Sequence, residues 1–170
     1  MARYLATVES RSPAAETFGY LAAFSTAAEW DPGVLAGEHL DPGPVRAGSR
    51  FRLVVPFAGA RMSLTYEVIS LVPDREVVLH AANAVLRSTD RIVVTGAADG
   101  STVSYDAVRL RGPLRVLDPL LQPGFRAVAE RAAAGLTDAL SRRPPGGGTR
   151  TAAAAPDSSG GAAEPAGGRP

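Results

Sequence analysis

Through the middle of this chain apolar and polar residues alternate with a period of two, while both flanks carry a helical period. Near the start, Tyr4, Ala6 and Val8 share one side of an alternating segment, which predicts a first strand. Ser12 then reads as a helix N-cap with Pro13 at the first helical position. Phe18, Leu21, Ala22 and Phe24 continue at helical spacing, so two short helices are expected, ending near Trp30. Asp31-Pro32-Gly33 must turn the chain, with Pro setting φ at its second position and Gly accepting a positive φ at its third. The same tripeptide recurs at Asp41-Pro42-Gly43, and nothing on either side repeats at that period. The two are read as turns bracketing a short second strand.

From Val34 the alternation is sustained. Phe51, Leu53 and Val55 form one oily face; Met62, Leu64, Tyr66 and Val68 form another. Pro73-Asp74 turns into a strand over 76–81. A strand over 87–95 follows, with Ile92 and Val94 on the face of Asp90, and Asp99-Gly100 turns into a strand over 102–110. This regular spacing predicts an antiparallel meander rather than βαβ units. Beyond Gly112-Pro113, Leu117, Leu121, Phe125, Val128, Ala132, Leu136 and Leu140 lie on one helical stripe. Asp118-Pro119 reads as its start, Pro123 as a place where it could kink, and the small residues over 132–135 as letting it lie close to a sheet. The expected fold is α+β: a curved antiparallel sheet of about seven strands around a long C-terminal helix, with two short helices after the first strand. Between sheet and helix an internal cavity is expected. Trp30, Phe51, Leu53, Val55, Met62, Leu64, Tyr66, Tyr105, Leu121, Phe125 and Val128 are its candidate lining, and the 56–60 segment with Phe57 and Gly59 its candidate gate.

Composition narrows this picture. From Arg142 onward the chain is almost wholly Arg, Gly, Ala, Pro, Ser and Thr, with too few large side chains to offset ordering entropy, so 142–170 is expected to be a disordered tail behind a domain over 1–141. The absence of cysteine excludes disulfides, thiolate metal sites and thiol nucleophiles. His39 and His80, the two histidines, are too far apart in sequence to suggest a metal site. The formal charge is +1 with scattered arginines, which lacks the footprint of a nucleic-acid binder. No segment reaches the roughly 18 apolar residues of a spanning helix, and no signal-peptide run stands at the N-terminus. A cytoplasmic location is therefore expected, with neither metal nor cofactor.

Chemistry has to come from the strands. Tyr66 and Tyr105 share the parity of apolar neighbours, so their hydroxyls are candidates for the cavity, or else they are packing residues with a hydrogen-bonded tip. Asp90 shares parity with Ile92 and Val94: inside, it would be an acid or base in an apolar wall; at a strand end, a solvated carboxylate. Arg109 has the parity of Val103 and Tyr105 and could clamp an anion or carbonyl, or snorkel to water from its strand end. His80 is expected on the outer face. Walker, dinucleotide and Gly-x-Ser-x-Gly motifs are absent.

In this order the opening strand followed by 12–18, Glu29-Trp30-Asp31-Pro32-Gly33-Val34, Leu64-Thr65-Tyr66-Glu67-Val68, the 100–105 segment and the ending over 111–120 resemble the START-like or SRPBCC superfamily. Within it the chain is similar to the polyketide cyclase/dehydrase group of the helix-grip fold. That resemblance implies a pocket for a small hydrophobic molecule: a lipid, an isoprenoid or a polyketide. It transfers no catalytic triad, so a binding protein and an aromatase/cyclase or dehydratase both remain open. The weak catalytic candidates are Tyr66, Asp90, Tyr105 and Arg109.

Overall fold

The computed structural model describes the backbone of residues 2–57, 59–83, 86–111 and 118–143, and the side chains of these apart from residues 2 and 109–129. In chain order the elements are β1 (Ala2–Ser10), α1 (Ala14–Ala22), a single 3-10 turn (Phe24–Thr26), α2 (Ala27–Trp30) and β2 (Ala36–His39). They continue with β3 (Arg50–Phe57), β4 (Ala60–Val72), β5 (Glu76–Ala82), β6 (Leu86–Ala97), β7 (Gly100–Arg111) and α3 (Asp118–Arg142). All seven strands pair antiparallel in one sheet of order β1-β7-β6-β5-β4-β3-β2. The meander from β2 to β7 is the one the alternation predicts. β1 joins its far edge, so the short helices carry the chain from one edge of the sheet to the other.

The sheet curls into a half-barrel whose inner face forms the core together with the helices, which is the helix-grip arrangement. Val8, Phe51, Leu64, Val77, Leu79, Ile92 and Val103 are buried there, and Ala132, Leu136 and Leu140 of α3 belong to the same cluster. Part of the curl comes from a bulge at Ile69. The register steps from Val68↔Leu79 to Ser70↔Val78, which leaves Ile69 55% exposed and brings Leu71 opposite the buried Val77. Strict alternation from Met62 would have turned Ser70 and Val72 inward instead. An extra residue in one strand bends it and increases its twist.

Local chemistry at the helix entry differs from the sequence expectation. The residue flanking α1 is Pro13, and Ser12 makes no side-chain cap; its carbonyl instead accepts from Thr17 Oγ1 at 3.3 Å and Ser101 Oγ at 2.9 Å. Ser10 Oγ lies 3.0 Å from Thr17 Oγ1, so a buried hydroxyl network ties β1, α1 and β7 where no apolar side chain could satisfy the backbone. The first Asp-Pro-Gly turn is also built differently. Asp31 Oδ1 accepts from the Gly33 amide at 2.7 Å and the Asp31 carbonyl from Val34 at 2.8 Å, and Gly33 is not among the residues with positive φ. An Asx turn holds the backbone, so the left-handed conformation is not needed there. The second turn does use it, at Gly43 with φ 90°.

α3 runs unbroken through Pro123. Its C-terminal half packs against β1 of the sheet, and the small-residue stretch also meets the end of α2: a Cβ built on Gly135 would collide with the Trp30 carbonyl oxygen and touch the Pro32 ring. Farther along, Arg143 stacks over the Tyr20 ring at 4.0 Å, and the Tyr20 hydroxyl donates to Glu29 Oε2 at 2.9 Å, joining α1, α2 and the end of α3. Burial, then the Glu29 bond and charge, push the Tyr20 phenol well up, while Arg143 opposes them. Over the described residues of the 56–60 segment, β3 and β4 run to Phe57 and Ala60, which pair across a hairpin with Gly59 at φ 79°.

On the outer face, Arg3 holds Asp106 through two bonds at 2.6 and 3.0 Å, Arg91 holds Glu76 at 2.8 Å, and Arg50 holds Asp41 at 2.9 Å. These arginines keep all three carboxyls below their ordinary range, chiefly through the hydrogen bonds.

Two outcomes are expected. Gly135→Ala, which in an ordinary helix interior would stabilise by up to about 1 kcal/mol, should here destabilise by about 1–3 kcal/mol, because the helix must move off Trp30; urea unfolding gives the sign. The depressed carboxyls contribute stability that is fully present above their unfolded values and is lost as pH falls through the folded ones. Stability should therefore drop below about pH 4, and Asp106→Asn should flatten part of that drop in an unfolding series against pH.

Candidate ligand site

The inward positions of the sheet fall into rows set by the strand register. One row runs Phe51, Tyr66, Ala81, Ser88; the next runs Val68, Leu79, Asp90, Ala107, Tyr4; the third runs Leu71, Val77, Ile92, Tyr105, Ala6. Aromatic residues from the helical segment anchor on both flanks. Phe24 meets Tyr66 edge-on at 5.0 Å and Phe51 at 6.5 Å, and Trp30 meets Tyr105 edge-on at 5.8 Å. Between these flanks the wall is made of Ala81, Ser88, Asp90 and Ala107, all buried and all but Asp90 small.

Asp90 is central to this wall and 1% exposed. It stands in mid-strand opposite Leu79 and Ala107, so the solvated strand-end alternative is excluded. Ser88, next on the same face, donates to Asp90 Oδ1 at 3.2 Å. Tyr105 lies one row along on the strand beside it, close enough for a long side chain to reach over the diagonal. Tyr66 is brought elsewhere. It stands two strands and one row from Asp90, about 12 Å away, and packs edge-on to Phe24. Of the four candidates, Asp90 and Tyr105 are thus neighbours and Tyr66 stands apart, while the Arg109 side chain lies outside the described residues.

Phe51, Leu53 and Leu64 are fully buried, while Val55 and Met62, paired with each other, are half-buried toward the hairpin end. Trp30 is 3% exposed, its indole edge-on to Tyr105 of β7 and its backbone carbonyl against Gly135 of α3, and among the described residues its Nε1 has no hydrogen-bond partner. Arg109 is paired through its backbone with Ser88 and Ala2; its side chain, like those of Leu121, Phe125 and Val128, lies outside the described residues. His80 is on the outer face, with Nδ1 3.1 Å from Thr89 Oγ1.

Sequence reading passed over Ser88, Ala81 and Ala107. Their signal was available, since each has the parity of a named inward residue. Small side chains at such positions are the ones that leave room. It also passed over Tyr4 as a site residue. Burial and the carboxylates of Glu130 and Asp31 raise its phenol pKa, so Tyr4 remains a neutral hydroxyl at the β1 end of the Asp90 row.

A family model described as polyketide cyclase/dehydrase and lipid transport matches residues 1–142. Among solved structures the chain is similar to the Zhui aromatase/cyclase from a Streptomyces species, with 18% identity, TM-score 0.61, and coverage of 82% of this chain and 90% of that one. It is also similar to a START superfamily protein from Mycobacterium smegmatis (15% identity, TM-score 0.66, 81% and 96% covered) and to a Thermus thermophilus protein (14%, 0.66, 82% and 97%). No curated protein matches it in sequence. No helix among the described residues is long and apolar enough to cross a membrane.

Ser88→Ala should destabilise by about 1–2 kcal/mol, the value of a hydrogen bond to a carboxyl group, without changing the fold. Denaturant midpoints with an unchanged m-value check this, because a shifted m-value would mean the wall had rearranged.

Proposed function

The chain belongs to the polyketide cyclase/dehydrase and lipid transport family, and from that premise we propose that the space between the inner sheet face and α3 holds a small hydrophobic ligand, a lipid, isoprenoid or polyketide-like molecule. The observation that carries this is the wall itself: two aromatic anchors separated by small side chains, Ala81, Ser88 and Ala107. A core built only for stability would fill such positions with branched side chains, because unfilled volume destabilises. In this reading Trp30, Phe51, Leu53, Val55, Met62, Leu64, Tyr66 and Tyr105 line the ligand, and Leu121, Phe125 and Val128 complete it from α3. Arg109 of β7 joins Asp90 as a polar contact.

A second reading, an aromatase/cyclase or dehydratase, is favoured by one observation: a buried carboxyl, bonded by Ser88, sits beside a tyrosine in a largely apolar wall. Closing a ring within a polyketide requires removing a proton from a carbon flanked by carbonyls and holding the resulting enolate oxygen. Asp90 would take the proton and the Tyr105 hydroxyl would donate to the oxygen, with the apolar wall keeping both free of bulk water.

Native mass spectrometry of the protein purified from its own source should show a bound small molecule. A bare mass, together with no thermal shift from lipid or polyketide libraries, would exclude both readings. Ala107→Leu separates an open wall from a filled core. In an open wall it should leave stability within about 0.5 kcal/mol and abolish ligand binding, whereas overpacking a filled core costs about 1–3 kcal/mol. For the second reading, Asp90→Asn should retain binding and lose turnover.

A further inference from the structure

The one tryptophan of the chain presents an unusual combination: a nearly fully buried ring whose Nε1–H has no hydrogen-bond partner among the described residues. A buried donor left unmade carries the full desolvation penalty of that group. Native structures satisfy nearly all such groups with protein, water or ligand. Packing does not require a donor at this place. Phenylalanine would give the same edge-on contact with Tyr105, and α3 rests on the Trp30 carbonyl rather than on the ring nitrogen. The indole lies against Tyr105, one row from Asp90 and two from Ser88, on the side of the wall away from Leu53 and Leu64.

We infer that the Trp30 indole N–H donates a hydrogen bond to a carbonyl or other acceptor oxygen of the ligand, and that the ligand is an oxygenated hydrophobe rather than a plain hydrocarbon chain. This rests on the ligand-binding reading above and adds the chemical class. An indole N–H can only donate, so the group it meets must be an acceptor. It discriminates by that requirement. A hydrocarbon of the same shape would fill the space and leave the donor unpaired, and such a mismatch weakens binding more than a missing methylene does.

The test uses the full-length protein and two tricyclic probes of one skeleton, 9-fluorenone and fluorene, which differ by a single carbonyl. Because Trp30 is the only tryptophan, its indole resonance is unique in a spectrum of 15N-labelled protein. Fluorenone is expected to move the indole proton downfield and to bind about tenfold more tightly than fluorene, the factor of one neutral hydrogen bond. Trp30→Phe should remove that preference while still binding fluorene. Equal affinities with an unmoved indole proton overturn the inference and leave the pocket reading standing, since both probes are then bound. Failure of both probes to perturb any wall resonance overturns the pocket reading and this inference with it. If Trp30→Phe does not fold, the wild-type indole resonance decides alone.

Discussion

The placement of α3 depends on the absence of one side chain. Gly135 lets the helix backbone come down on the Trp30 carbonyl, where any Cβ would collide. That contact lets the C-terminal half of α3 come down close on the end of α2. With the C-terminal half of α3 seated on α2 and β1, Ala132, Leu136 and Leu140 seal one end of the core. Trp30 is held from behind by its own backbone and from in front by Tyr105. A glycine that lowers intrinsic helix stability by about 1 kcal/mol is retained where close approach requires it.

The sheet meets the helices with a face that is not uniform. Near α1 it is closed by the hydroxyl network of Ser10, Thr17 and Ser101; along Val77, Ile92 and Val103 it is apolar and tight. Only the central part combines small side chains with a carboxyl. Burying a carboxyl in a wall where Leu or Val would pack is a poor choice for stability alone, since removing a charge from water costs several kcal/mol. The family supplies the general setting of ligands and cyclisation, and the residues of this chain supply the particular arrangement.

The sequence was most legible where a pattern repeats. Period-two alternation placed β3 to β7 and put Asp90 on the side of Ile92 and Val94, because side chains on a strand must alternate and one face must leave water. It was least legible at single residues whose role lies in a distant partner. Ser12 looks like a cap by composition, yet it serves β7 through its carbonyl. Gly33 looks like a positive-φ residue, but Asp31 closes that turn by another bond. Ile69 gives no local sign of a bulge, and the register shift there reflects what the neighbouring strand needs rather than what β4 alone prefers.

The chain by itself therefore determined the order of strands and helices, the two oily faces, the turns and the inward parity of the site residues, since these follow from local periodicity and turn chemistry. Tertiary structure decided which inward residues meet. It separated Tyr66 from Asp90, set Tyr105 beside Asp90 and under Trp30, and matched Gly135 to a carbonyl more than a hundred positions away. The physical reason is that register and helix height are set by contacts between elements remote in sequence, which no local period encodes.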